Sequence, residues 1–404
     1  MASGSAAAWP SAFVVICCPV SGKKDAVQVL ERDFWPQVRK LGIVCELQLT
    51  AHAGHAVELA EAAARAGKGV VAVGGDGTLH EVMDGLIRAG ALQRTVLAVL
   101  SQGTMNCLSH SAALPDAAAL PALLAAKSSR PQSLMRVQDE TGKIKTICFE
   151  AMYLGVGYKP AKGAQEYRNS FIGPFGGIML NLIRANLFPA STAIAGTLTM
   201  WPKQGGAPRV VKDKFFWIVI CQRNPYNGVI TPDSTWVSWV TLDNFPGFGR
   251  MMDAFSPPME FQSGVTGMLE GHVEVAKVTW EQDVGTIGVC LDGDPMEGGK
   301  VLTVEHMSKA WTVVADKTFP SKITDKLIKA RPLTAYGRRG LEANPPPKDL
   351  LFPLREQLAQ PATLSKRSPA LLYASVLVVA GAVCYAYMAM QPNLATLWGA
   401  KAGR

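Results

Sequence analysis

Residues 70–86 read VVAVGGDGTLHEVMDGL. An apolar run ends, Gly74, Gly75, Asp76, Gly77 and Thr78 follow together, and a helix-like pattern begins at once. Glycine costs backbone entropy wherever it sits, so three glycines around one acid imply a backbone that something must approach closely. A strand that turns tightly into a helix aims the helix's unbonded N–H groups and positive dipole end at one point. Phosphate is the expected guest of such a turn. Asp76 among those donors can hold a magnesium ion or accept a proton from a hydroxyl, and Thr78 can cap the helix or donate to phosphate. The alternative is a plain glycine-rich turn. One strand later, VLSQGTMN (99–106) repeats the arrangement with Gly103, Thr104 and Asn106. Two adjacent loops at the carboxyl ends of parallel strands form the crevice in which open α/β sheets bind ligands. His80 falls on the polar side of the following helix, with Leu79 and Val82 inward, and is expected to be solvated.

The surrounding elements alternate. AFVVICC, IVCELQLT, GVVAV and TVLAVL read as strands. The segment after Asp25 reads as a helix interrupted near Pro36, and GHAVELAEAAARAG and TLHEVMDGLIRAG carry single apolar stripes. Apolar runs without alternation suit strands covered on both faces, which predicts an α/β domain with a parallel sheet over residues 11–135. The pattern then changes to strand-like segments separated by Gly, Pro or Asn. It predicts an antiparallel β-sandwich domain over 136–318.

The chain has 404 residues and a net charge of +8, much of the excess lying between Lys317 and Arg367. Residues 319–368 are basic and Pro-rich and read as a linker. A basic region can meet nucleic acid or an anionic membrane surface. The uncharged run from Ala370 to Met390 chooses the membrane, because a bilayer core takes about 20 apolar residues as a helix. A buried core helix is the competing reading, but few soluble helices are apolar on every face. Residues 369–391 therefore read as a transmembrane tail anchor. Basic residues upstream outnumber those downstream, which keeps the large N-terminal part in the cytosol, on endoplasmic reticulum or outer mitochondrial membrane. No nucleic-acid partner is needed. The eight cysteines form no CxxC pair and read as reduced thiols. No basic region precedes the first apolar run, so AFVVICC reads as a strand and not a signal peptide.

GGDGTLHEV followed by a Gly-Thr-x-Asn loop resembles the diacylglycerol kinase catalytic family, in particular its sphingosine and acylglycerol kinase branch. The resemblance covers roughly residues 12 to 318. It implies that the α/β domain over 11–135 is nucleotide-binding and that the β-sandwich over 136–318 is the lipid-binding domain, with ATP and Mg²⁺ as cofactors and a membrane lipid as phosphate acceptor, either a sphingoid base or an acylglycerol. In CPVSG it places Ser21 and Gly22 at the nucleotide, with Cys18 where the family has Asn. It implies that Thr50 meets the nucleotide and that Arg168 of EYR binds phosphate. It returns Asp292, Gly293 and Asp294 of LDGDPM to the nucleotide site, with Asp294 beside Asp76 at the metal. Gly75, Gly77, Gly103 and Thr104 would cradle the phosphates. Lys159 stands near the place where sphingosine and acylglycerol kinases carry an acid, with no acid between Gly155 and Gln165. It is the candidate lipid-binding residue and disfavours an amine head group. A soluble-type NAD kinase and a non-catalytic adaptor are the competing readings, and a homodimer stays open. Deleting residues 369–404 is expected to release the protein from membranes, read by sedimentation with vesicles; a truncated chain that still pellets would overturn the tail anchor.

Overall fold

Parallel strands buried on both faces need apolar side chains at successive positions. The computed structural model describes residues 8–317 apart from 104–105, 113, 143–144, 168–169, 171–172, 223–234, 244–268, 271–272 and 282–286. The first half runs β1 (Phe13–Cys17), α1 (Ala26–Val29), a π-helical turn (Leu30–Phe34), α2 (Trp35–Lys40), β2 (Cys45–Leu49), α3 (His55–Arg65), β3 (Gly69–Gly74), α4 (Asp76–Arg88), β4 (Val96–Ser101), α5 (Cys107–Ser111) and α6 (Leu120–Ala125). The interruption expected at Pro36 takes the form of the π turn just before it. A proline ring clashes with the carbonyl four residues back, and the wider turn lets the helix continue past it.

The four strands lie parallel in the order β2-β1-β3-β4. Alternate residues feed opposite faces. Val14, Ile16, Val70 and Ala72 pack under Ala60, Val82 and Leu86 of α3 and α4. Phe13, Val15, Val71 and Val73 pack under Leu30, Phe34 and Leu120 on the other side. β1 leads outward to β2, while β3 leads the opposite way to β4. The carboxyl ends of β1 and β3 therefore flank the topological switch point of the sheet.

The second half runs β5 (Ser129–Asp139), β6 (Lys145–Cys148), β7 (Ala151–Gly155), α7 (Tyr158–Glu166), α8 (Gly173–Leu187), α9 (Pro189–Thr192), β8 (Ile194–Pro202), β9 (Arg209–Cys221), β10 (Trp236–Thr241), β11 (Leu269–Glu270), β12 (Val273–Trp280), β13 (Ile287–Leu291), β14 (Asp294–Gly298) and β15 (Val301–Val314). Its strands pair antiparallel around a second core that includes Phe215, Trp239, Trp280 and Leu302. The two halves are not separate sheets. β15 pairs antiparallel with β5 and then parallel with β4, through Thr312 opposite Val96 and Val313 opposite Leu97. Its end, with Trp311 and Val313, fills the first core. The strands thus form one mixed sheet, curled around the second core. A boundary at residue 135 falls inside β5, and the end of the second half belongs to the first. The physical reason is the edge of β4, whose backbone groups need a partner strand. Among the described residues no helix is long and apolar enough to cross a membrane, and the run 370–390 lies outside them.

α3 and α4 cross where Gly85 faces α3. A Cβ on Gly85 would overlap the Val57 carbonyl oxygen and lie 2.9 Å from the Ala60 Cβ. Gly85→Ala is expected to destabilise the fold by about 1–3 kcal/mol, despite gaining about 1 kcal/mol of helix propensity. Equilibrium urea unfolding measures it, and an unchanged or raised midpoint would show that the helices part freely.

Candidate functional site

Loops from β1, β3 and β4 converge at the switch point. Hydrogen bonds carry the parallel ladder just past the strand ends: Cys18 N–H donates to Val73 O (2.9 Å), Thr50 N–H to Cys17 O (2.9 Å) and Gln102 N–H to Gly74 O (2.7 Å). The loops then touch backbone to backbone. A Cβ on Gly103 would come within 2.5 Å of the Gly75 Cα, and one on Gly22 would overlap the Gln102 carbonyl oxygen. No side chain other than glycine's lets these segments meet. Asn106, at φ +51°, braces the second loop: Gly103 N–H donates to its Oδ1 (2.8 Å) and its Nδ2 donates to Gly103 O (3.0 Å). Gly103 N–H is thus engaged by Asn106, and the loop's contribution is bare backbone surface. Thr104 lies outside the described residues.

Gly75 caps α4 in an extended conformation, and Leu79 N–H is the first bonded back, to Gly75 O at 3.1 Å. The first turn, Asp76 to Thr78, precedes the intrahelical ladder and faces the loop junction with the helix dipole behind it. Thr78 packs its side chain over Gly74, where a Cβ would overlap it. The Cys18 thiol sits among hydroxyls. Burial raises its pKa, but hydrogen bonds with Ser21, Thr50 and Thr78 outweigh that and bring it below the ordinary thiol value. Cys17, one residue earlier, faces the core and is pushed up to about 11 by burial.

The fourth contribution comes from the second half of the chain. Asp292 and Gly293 form the two-residue turn between β13 and β14, both at positive φ (49° and 98°), as a primed hairpin turn requires. The reading of Asp292 as a residue facing the nucleotide is corrected here. Its side chain is 1 % exposed, and its carboxylate accepts backbone N–H bonds from Phe149 (2.9 Å), Glu150 (2.9 Å) and Ala151 (3.0 Å) as well as the Cys148 thiol (3.1 Å). Asp292 is an internal anchor. Asp294 is exposed, and its Oδ2 lies 3.3 Å from where a Cβ on Gly77 would stand, beside the start of α4.

The expected solvation of His80 is also corrected. Its side chain is 15 % exposed, its ring lies 5.4 Å from the Phe149 ring, and its Nε2 is 3.4 Å from Asp292 Oδ2. Helical periodicity marks the face of α4 that meets the first core, and the second half of the chain covers another face. Lys159 stands on α7, half-buried, with Nζ 3.3 Å from Thr192 Oγ1; burial and then the nearby Arg184 lower its pKa. Arg168 lies outside the described residues. Among the described residues no three His, Cys, Asp or Glu side chains gather as a metal site of their own. Asp76 and Asp294 offer hard oxygen donors next to the glycine loops, a donor set that suits a divalent ion taking its other ligands from a bound anion and water.

Residues 12–137 match the family described as the diacylglycerol kinase catalytic domain. Two curated relatives, each described as "Probable lipid kinase YegS-like", come from Enterobacter sp. (strain 638) and Cronobacter sakazakii (strain ATCC BAA-894). The first is 30 % identical over 111 residues, 27 % of this chain and 36 % of the relative. The second is 35 % identical over 124 residues, 30 % of this chain and 41 % of the relative. The chain thus spans about two fifths of the length of the curated relatives it matches. A solved structure of a diacylglycerol kinase from Bacillus anthracis str. Sterne superposes with a TM-score of 0.58 at 15 % identity, covering 77 % of this chain and 98 % of that one. That likeness is one of fold.

The two acids of the hairpin are expected to separate in mutation. Asp292→Ala leaves three buried N–H groups without an acceptor and should lower stability by about 3–5 kcal/mol in urea unfolding. Asp294→Ala should change stability by no more than about 0.5 kcal/mol, as at an exposed position. Equal losses for both would contradict the inward and outward placement of the pair.

Proposed function

We propose that the protein is a lipid kinase moving the γ-phosphoryl group of ATP to a hydroxyl of a membrane lipid, a reading supported by the match of residues 12–137 to the diacylglycerol kinase catalytic domain. One observation carries the reading: the glycine-to-glycine loop junction lies at a helix N-terminus that bears Asp76 and is approached by Asp294. Phosphoryl transfer asks for alignment and charge neutralisation more than covalent help. The first turn of α4 orients the phosphates with its N–H groups, and Gly75 and Gly103 let them come close. Thr78, with Ser21 and Thr50 around Cys18, presents hydroxyls along the same rim. Asp76 and Asp294 would hold Mg²⁺, which would neutralise phosphate charge there. Asp76 organises that ion or takes the proton of the acceptor hydroxyl. By resemblance alone, Arg168 is a further cation for the phosphates.

Lys159 bears on the acceptor. A half-buried ammonium with Arg184 nearby disfavours a further cation through like-charge repulsion. This supports an acylglycerol over a sphingoid amine. The uncharged run 370–390 and the basic linker before it support a tail anchor that holds the cytosolic kinase at its substrate.

The test is transfer of label from ATP, with Mg²⁺, by the full chain in mixed micelles of diacylglycerol, monoacylglycerol, ceramide or sphingosine. Label is expected on an acylglycerol. Asp76→Asn should lower turnover at least about 100-fold, with unchanged circular dichroism. Turnover retained in a folded Asp76→Asn chain would remove Asp76 from the chemistry. Label on none of the lipids would favour a non-catalytic adaptor.

A further inference from the structure

The contact between His80 and Asp292 joins the two halves of the chain directly behind the phosphate cradle. His80 follows Asp76 by four residues on α4, so the two share one face of the helix a single turn apart. Asp292 precedes Asp294 by two residues, across the hairpin turn. The two acids nearest the cradle are therefore each one short, stiff step from the same buried contact. Asp292 itself cannot move freely, being held by three backbone N–H bonds from 149–151. The Phe149 ring from that segment packs on the imidazole. At 3.4 Å the Nε2 to Oδ2 contact is an ion-pair distance and not a well-directed hydrogen bond, so its strength depends on the charge of the imidazole.

We propose that His80 is a positioning residue: its imidazolium, held against Asp292, fixes the separation between the helix turn that carries Asp76 and the hairpin that carries Asp294. The proposal rests on the reading of the crevice as a nucleotide phosphate site. The groups around the ring favour the cation. Asp84 faces it from α4, and Asp292 and Asp294 from the hairpin. Glu150, on the segment that carries Phe149, accepts a hydrogen bond from Ser111 (2.7 Å). Burial alone lowers the His80 pKa, but Asp292, with Asp84 and Asp294, more than offsets it and leaves the pKa above the ordinary imidazole value. A group with a raised folded-state pKa stabilises fully below its unfolded value, about 6.5, and loses that contribution as pH rises through the folded value. The hairpin is therefore clamped in mildly acid solution and loosened in alkali.

Two readouts on the full chain test this, each at pH 6 and pH 8.5 for wild type and His80→Gln side by side. The first is amide hydrogen exchange of residues 287–298, corrected for intrinsic chemical rates. Wild type should protect the hairpin better at pH 6 than at pH 8.5, and His80→Gln should show the lower protection at both. The second is MgATP affinity by calorimetry. The ratio between the two proteins, in which titration of the nucleotide cancels, should be about fivefold at pH 6 and smaller at pH 8.5. A pH-dependent protection that persists in His80→Gln would overturn the proposal, as would a wild-type hairpin whose protection does not change with pH, which needs no variant at all. Hairpin protection that responds as expected in a chain that binds no MgATP would support the positioning role of His80 and overturn the nucleotide reading alone.

Discussion

Three consecutive backbone N–H groups, those of Phe149, Glu150 and Ala151, point into the seam between the halves of the molecule, and one carboxylate, that of Asp292, accepts them all. A buried charge is costly unless hydrogen bonds replace its water, and here they do so completely enough to leave the group 1 % exposed. The arrangement fixes more than itself. It sets the height of the β13–β14 hairpin above the seam, and with it the place of Asp294 at the mouth of the first half's loops. The two acids on either side of Gly293 thus divide their tasks by direction: one turns inward and holds, the other turns outward and faces the crevice.

The crevice is shaped as much by missing side chains as by present ones. Gly22, Gly75 and Gly103 let three loops stack on their bare backbones, so that the N-terminus of α4 is reached without obstruction. Cys18 lies in this setting with three hydroxyls around its sulfur. A thiol there is smaller than an amide and offers weaker hydrogen bonding, which leaves Ser21, Thr50 and Thr78 as the principal polar groups of that wall.

Much of the first half was legible in the sequence. Strands covered on both faces show as unbroken apolar runs, helices covered on one show as stripes, and GGDGT falls at the strand-to-helix junction where those patterns put it. What escaped was whatever depends on a partner far along the chain. KVLTVEHM (300–307) reads as strand-like, but nothing in it signals that the strand runs on to Val314 and pairs with β4. Nothing local separates Asp292 from Asp294, since both flank a glycine in a turn; only the N–H groups of 149–151 decide between them. His80 was misjudged because periodicity reports a helix's main buried stripe, and α4 has a second neighbour. Thr104, Arg168 and the uncharged run 370–390 lie beyond the described residues, so their roles rest on sequence.

The return of β15 to the edge of β4 also orders events in time. During synthesis β1 to β4 leave the ribosome early, yet the strand that closes their sheet is the last element of the described chain. Until it arrives, the β4 edge is an open template and the first core lacks Trp311 and Val313. Pairing of such high contact order is slow, so the nascent first half must wait as a near-complete but unsealed sheet while more than a third of the protein is still being translated. A chain built this way is most exposed to aggregation, and most dependent on chaperones, in that interval.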